Sequence, residues 1–392
     1  MRTEGDFIKI HEWLTPLSWL YGLGVGFRNL LFRLGVLKSR AFDIPVISVG
    51  NITVGGSGKT PHVEYLVSLL LDKMKVAVLS RGYKRKSKGY VLADNESTMS
   101  QIGDEPYQMK QKFPALYVAV DKKRTRGIDI LTSDERTKDV DVILLDDAYQ
   151  HRYVKPGVNI LLVDYHRLII YDKLLPAGCL REPQEGKSRA DIVIITKCPK
   201  DLRPMEYRVL MKALDLYPYQ SLYFTTLVYD DLKPVYGKGS IALSSLPKGC
   251  NVLLLTGIAS PKQMQTDLSV HNFNLHQLAF PDHHNFSKKD VRAINSKFAE
   301  LPSPKLIITT EKDVSRIKFI EGFEQEVKDN MYALPVRIQF MLEQEESFNN
   351  KIINYVRKNS RNSILVKTKD DNKSQNGNHS RNGAGPISFR NN

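Results

Sequence analysis

The stretch Gly50-Asn-Ile-Thr-Val-Gly-Gly-Ser-Gly-Lys-Thr-Pro61 constrains this chain more than any other. It follows the apolar run Ile44-Pro-Val-Ile-Ser-Val49, which reads as a buried parallel strand, and it precedes Val63 to Leu71, which reads as a helix. Strand, glycine-rich turn and helix start are the setting in which a GK[ST] triplet forms a phosphate cradle. Unpaired amides at a helix N-terminus, joined by successive loop amides, hold a phosphate that no single side chain could fix. The loop residues expected to meet a nucleotide are Asn51, Thr53, Gly55, Gly56, Ser57, Gly58, Lys59 and Thr60, with Lys59 reaching the outer phosphates and the Thr60 hydroxyl ligating Mg²⁺. The usual first glycine is replaced by Thr53, so a flexible loop that matches by chance is the competing reading.

A second strong signal is Val140-Asp-Val-Ile-Leu-Leu-Asp146-Asp147, an apolar strand delivering carboxylates at its C-terminal end, as a Walker B element requires. Adjacent aspartates point in different directions, so one is available for the metal and the other for water or substrate. Gln150 and His151 follow and are placed to complete the shell or the turn. Arg81, after the strand Lys75 to Ser80, opens a basic run at a strand end, where open α/β sheets bind ligands. Thr196-Lys197 ends another strand and is a candidate nucleobase contact. Asp104, in Gly103-Asp-Glu-Pro106, is either a helix cap or a functional carboxylate. In the loop Leu174 to Pro183, Arg181 and Glu182 are hard to rationalise as core, and a surface ion pair is the alternative. Asp282-His283-His284 suits proton transfer better than zinc, because spaced partner ligands are missing.

The N-terminal segment from Leu14 to Leu37 is mostly apolar but is interrupted by Arg28, Asn29 and Arg33. At helical spacing Leu20, Leu23, Phe27, Leu30, Leu31 and Leu34 share one side, and Ser18, Gly22, Gly26, Asn29 and Arg33 share another. Two readings stay open: a helix lying on an anionic bilayer, with Trp13, Trp19 and Tyr21 at the headgroup boundary, or a terminal helix packed on the protein's own core. A formal net charge of +14 points to an anionic partner, whether lipid, phosphorylated small molecule or nucleic acid. The three cysteines, Cys179, Cys198 and Cys250, lack metal-site spacing and read as buried small residues in a reduced compartment. No cleavable signal is evident in the first residues.

The expected architecture is α/β: a P-loop NTPase-like, doubly wound, mostly parallel sheet with a second smaller α/β unit and an N-terminal amphipathic, membrane-associated helix. The expected divisions are 1–40 for the amphipathic region, 41–204 for the P-loop core, 205–345 for the second unit, 346–360 for a closing helix and 361–392 for a disordered tail. Strands near 251–256 and 304–309 have the option of returning to the first sheet.

With these residues in hand, the sequence resembles the tetraacyldisaccharide 4′-kinase family of the lipid A pathway. The resemblance runs from Trp13 to about Phe340 and rests on SVGNITVGGSGKTP at 48–61, SRGYKRK at 80–86, GDEP at 103–106, DDAYQH at 146–151, LPAGCLREP at 175–183, DHH at 282–284 and TTEKD at 309–313. It implies a P-loop kinase on the cytoplasmic face of the bacterial inner membrane, peripheral or monotopic. Such a kinase uses ATP and Mg²⁺ to phosphorylate the 4′-hydroxyl of a tetraacylated glucosamine disaccharide 1-phosphate, giving lipid IVA. It also implies the roles: Asp104 as catalytic carboxylate with His283 as its partner, Lys59, Arg81 and Arg181 on phosphate or transition-state charge, and Thr60, Asp146, Asp147 and Gln150 on the metal side. Ala148, Tyr149 and Cys179 depart from the family pattern without removing a chemical group. Partners expected on this basis are the acylated acceptor and an anionic membrane surface, with no nucleic acid and no obligate protein partner. Two rivals are a nucleotide-gated assembly ATPase and a nucleic-acid binder, the latter lacking any aromatic-interleaved patch.

Overall fold

A computed structural model of the chain describes residues 10–258, 261–282 and 284–360. The amphipathic segment forms a helix, α1 (Thr15–Arg33), and the phosphate-loop helix is α2 (Lys59–Leu71). Strands follow in the order β1 (Val46–Gly50), β2 (Val76–Ser80), β3 (Val91–Leu92), β4 (Tyr117–Val120), β5 (Val142–Asp146), β6 (Val158–Asp164) and β7 (Ile192–Thr196). They continue as β8 (Ser221–Tyr229), β9 (Lys233–Pro234), β10 (Asn251–Thr256), β11 (Asn274–Ala279), β12 (Lys305–Thr310), β13 (Met331–Leu334) and β14 (Val336–Phe340).

Nine of these strands form one sheet in the order β14-β8-β7-β6-β1-β5-β2-β4-β3. Its pairs are parallel except where β3 meets β4 and β14 meets β8, at the two edges. The central strands are buried at every position and mostly apolar because both faces are covered. Ile47, Val49, Val76, Val78, Val142 and Leu144 enter the core beneath α2, while Val46, Ala77, Leu79, Ile143 and Leu145 enter a separate core on the opposite face. This alternation is the two-residue period of a strand. β1 lies between β5 and β6, so the chain order reverses direction there, and the loop after β1 opens into the crevice that such a reversal creates.

The other five strands form a second sheet, β11-β10-β12-β13-β9, parallel apart from β9. Residues 251–256 and 305–310 therefore stay out of the first sheet, whereas β8 and β14, assigned by sequence to the 205–345 unit, belong to it. β8 extends the parallel ladder from β7, and the chain comes back along β14 after completing the second sheet. The helix Glu345–Asn359 then packs Phe348, Ile352 and Val356 into the same core as α2. The tail expected from 361 onward lies outside the described residues.

The orientation of α1 is the reverse of an ordinary surface helix. Ser18 is buried, donates to the Leu174 carbonyl (2.9 Å) and accepts from the Ala177 amide (2.9 Å). Tyr21 donates to the Arg181 carbonyl (2.7 Å), Arg28 to the Gln150 carbonyl, and Arg152 to Asn29 Oδ1 (2.9 Å). A Cβ on Gly22 would come within 2.9 Å of Leu174, so glycine sets how closely the helix approaches. Phe32 alone among the large apolar side chains of α1 is buried, against Tyr153 and Arg152. Leu31 is half-buried, while Trp19, Leu20, Leu23, Phe27 and Leu30 face outward, with Trp13 and Leu34 exposed at the two ends. Packing on the protein's own core is thus not what the apolar side of this helix does. Among the described residues no helix is long and apolar enough to cross a membrane.

Candidate functional site

The phosphate loop bends from β1 into α2 through Gly55 and Gly58, both at positive φ, with Gly58 as the residue capping α2. Buried Asn51 donates across the loop to Ser57 Oγ (2.8 Å) and Thr53 Oγ1 (3.3 Å), which fixes its curvature from inside. His62 donates from Nδ1 to the Gly58 carbonyl (2.7 Å) and accepts at Nε2 from Thr225 (3.0 Å). Burial lowers its pKa to about 4, so this imidazole is a neutral strut between α2 and β8. Thr196 Oγ1 donates to the Ser57 carbonyl (3.1 Å), and Lys197 donates to the Gly56 carbonyl and to Asp164 Oδ2 (2.6 Å). Both residues, aimed at a nucleobase in the sequence reading, brace the loop's own backbone.

Across from the loop, β5 ends in the two aspartates, and they diverge as adjacent strand-end residues should. Asp146 turns inward and accepts from Ser80 Oγ (3.2 Å). Asp147, at φ 47°, turns toward the phosphate loop, 3.6 Å from Lys59 Nζ and 3.5 Å from Arg181 Nη1. Arg181 arrives from the loop after β6, which is pinned to the phosphate loop by Arg181 N to Ile52 O (2.7 Å) and Val54 N to Cys179 O (2.8 Å). Lysine, carboxylate and guanidinium from three distant segments thereby meet at one place. Glu182 does not pair with Arg181; it is buried and binds Arg189 (2.7 Å) and Gln150 (3.0 Å). Gln150, expected on the metal side, spends its amide donor on the Asn51 carbonyl (2.7 Å) and Glu182, and so braces the two loops. Arg81 is exposed at the end of β2, close enough to Arg124 and His151 to act on both electrostatically.

Burial, then the charges of Glu105 and Asp147, push the Asp146 carboxyl up to about 7. Asp147 Oδ1 is a buried oxygen without a hydrogen-bond donor. A pair of crowded carboxylates of this kind suits a bound cation. Among the described residues no group of three or more His, Cys, Asp or Glu is arranged to hold a metal ion. The folded protein holds the Asp146 proton more tightly than the unfolded chain does. This group's contribution to stability is therefore present below the ordinary carboxylate range and lost as pH rises through about 7. In thermal denaturation without nucleotide, Asp146→Asn should melt several degrees above the parent at pH 8, with the gap narrowing as pH falls and closing only below about pH 4; equal melting at pH 8 would contradict the burial argument.

His151 is lowered to about 4 by burial and by Arg124, Arg28 and Arg81, so it is neutral near pH 7. Arg124 is buried and donates to the carbonyls of Asp121 (2.8 Å) and Asp146 (3.2 Å). Asp104 occupies the first turn of the helix Asp104–Lys112, but the capping residue is Gly103, at φ 92°, and no side-chain cap bond is made. A Cβ on Gly103 would lie 2.9 Å from the Tyr83 carbonyl, so the approach requires glycine. The Asp104 carboxylate receives Nε and Nη2 of Arg316 at 3.0 and 2.5 Å. Beside it, Lys312 reaches Glu105 (3.3 Å) and Asp282 (3.9 Å), so the GDEP, DHH and TTEKD segments converge. His283 lies outside the described residues. Arg316 and Glu105 were missed by sequence reasoning; the available signal for Arg316 was its position one helical turn after Asp313.

The chain matches known proteins over most of its length. The family model for tetraacyldisaccharide-1-P 4′-kinase matches residues 10–357. A tetraacyldisaccharide 4′-kinase of Phocaeicola vulgatus is 57% identical over 362 residues, covering 92% of this chain and 99% of its own. One from Bacteroides fragilis is 51% identical over 377 residues, covering 95% of this chain and 100% of its own. A crystal structure of LpxK from Aquifex aeolicus in complex with ATP superposes with a TM-score of 0.67 at 28% identity, covering 88% of this chain and 98% of that one.

Proposed function

The chain belongs to the tetraacyldisaccharide-1-P 4′-kinase family, and from that membership we propose how its own residues divide the work of phosphoryl transfer. The enzyme uses ATP and Mg²⁺ to phosphorylate the 4′-hydroxyl of a tetraacyldisaccharide 1-phosphate in lipid A biosynthesis. The phosphate-loop amides hold the nucleotide, Lys59 draws charge from its outer phosphates, and Arg181 and Arg81 offset charge growing on the transferring group. Thr60, Asp146 and Asp147 would hold the Mg²⁺, with Gln150 steadying the loop behind them. When bound, the metal would neutralise phosphate charge.

A sugar hydroxyl is a weak nucleophile until its proton has somewhere to go. Asp104 takes that proton as the acceptor oxygen bonds to the γ-phosphorus and the bond to the ADP oxygen breaks. His283 is its partner on the strength of the family resemblance. The observation that carries this reading is the meeting of Lys59, Asp147 and Arg181 at the strand ends of the first sheet, with Glu105, the neighbour of Asp104, close enough to act on Asp146. The outward apolar side of α1 rests on an anionic bilayer at the cytoplasmic face of the inner membrane, so the acceptor's sugar is met while its acyl chains stay in lipid. Incubation with γ-labelled ATP and an acylated disaccharide 1-phosphate should place label on the non-reducing sugar. Nucleotide hydrolysis without a labelled lipid would refute the assignment.

A further inference from the structure

The link between the two sheets at Asp104 is not an ordinary surface ion pair. The Arg316 side chain, on the helix Glu311–Ile317 that follows β12, is 3% exposed. Its Nη1 donates to Asp313 Oδ1 (3.2 Å) and to the Gly257 carbonyl (3.4 Å). Asp313 is itself fully buried and receives the Gly257 amide (2.9 Å) and the Thr310 hydroxyl (2.7 Å). The guanidinium is thus seated from the second sheet through β10 and β12, and the rest of its fork points away from that sheet. Both remaining nitrogens used there, Nε and Nη2, converge on one oxygen, Asp104 Oδ2. A rigid planar fork whose two donors converge on a single oxygen fixes where that oxygen lies and its distance from the second sheet together.

We propose that Arg316 is a positioning residue for the acceptor-proton base: it sets the orientation of the Asp104 carboxylate and makes that orientation depend on the docking of the second sheet against the first. The flanking pairs, Lys312 with Glu105 and Lys112 with Glu311, join the same two helices but end on other carboxylates. They align the helices, and Arg316 aligns the reacting group. Misplacing a catalytic group by about 1 Å costs on the order of 10²-fold in rate, so loss of this one contact should be felt in turnover more than in nucleotide binding.

This inference rests on the reading of Asp104 as the base, and a double-mutant cycle on the full chain separates the two. Transfer to the acylated disaccharide is measured for Arg316→Gln, Arg316→Lys, Asp104→Asn and the Asp104→Asn/Arg316→Gln pair. Arg316→Gln should lower kcat by about 30- to 100-fold with the KM for ATP within about threefold. Arg316→Lys, which keeps the charge and a donor, should recover part of that loss. In the Asp104→Asn background the second change should cost less than about threefold more, because the group that Arg316 positions no longer takes the proton. Multiplicative losses, an equal rise in the KM for ATP, or normal turnover in Arg316→Gln would overturn the positioning role. Normal turnover in Asp104→Asn would overturn the assignment of the base, and this inference with it.

Discussion

Asp104→Asn is expected to lower kcat by about 10³-fold while ATP affinity changes by less than about threefold, the loss typical of removing a positioned general base. Asparagine keeps the size and planarity of the side chain and can still accept from Arg316, so the helix Asp104–Lys112 should form as before. What it cannot do is take up a proton from the acceptor hydroxyl. The competing explanation for an aspartate at a helix start is capping, whose loss would appear as about 1 kcal/mol of stability and little else. The geometry favours the first account, because Gly103 occupies the capping position and the Asp104 carboxylate is directed to a buried guanidinium on the helix Glu311–Ile317. Single-turnover transfer and a separate ATP-binding measurement distinguish the outcomes: a variant that binds ATP normally and turns over within about threefold of the parent would return Asp104 to a structural role.

The features read correctly from sequence are those whose physics is local. A buried strand, a turn rich in glycine and a helix start are contiguous between Val46 and Leu71, and so are the strand and the paired carboxylates ending at Asp147. Each announces itself through residue type within a short window. Membership of β8 and β14 in the first sheet is of another kind. Their apolar alternation says that they are strands, but which sheet they join is decided by pairings between Ile192–Ile195 and Ser221–Phe224 and between Thr225–Tyr229 and Val336–Phe340. Nothing at residue 205 announces a boundary because structurally the chain stays in the first sheet until β8 ends. Arg316 was hidden for the same reason, since a basic residue on a short helix acquires meaning only from a carboxylate 212 positions away. Thr196 and Lys197 were placed at the correct sheet edge, yet their partners are backbone carbonyls, which every loop possesses and no sequence pattern marks.

Exchange of Leu20, Leu23 and Phe27 for serine should reduce partitioning onto anionic vesicles by at least about 10³-fold, because burying each such side chain in an apolar phase is worth about 1.5 to 3 kcal/mol and about 1.4 kcal/mol is a tenfold change. These side chains are 66%, 70% and 64% exposed, so they support nothing inside the protein and their removal should leave the melting temperature unchanged. The opposite side of α1 supplies the contrast. Ser18, Tyr21 and Arg28 hold the helix to the backbone at Leu174, Arg181 and Gln150, in the loops that carry Arg181 and flank Asp147. On the proposed membrane-resting orientation, a helix fixed in this way through its polar side would bring the loops that carry Arg181 and flank Asp147 toward the headgroup layer. Raised salt should weaken binding only in part, since the net charge of +14 adds a screened attraction to an apolar one that salt does not screen. Co-sedimentation with vesicles, paired with turnover on a short-chain dispersed acceptor, reads both halves of the argument. The triple variant should lose sedimentation and activity on vesicle-borne substrate while keeping activity on the dispersed one, and unchanged sedimentation would show that the outward face of α1 has some other use.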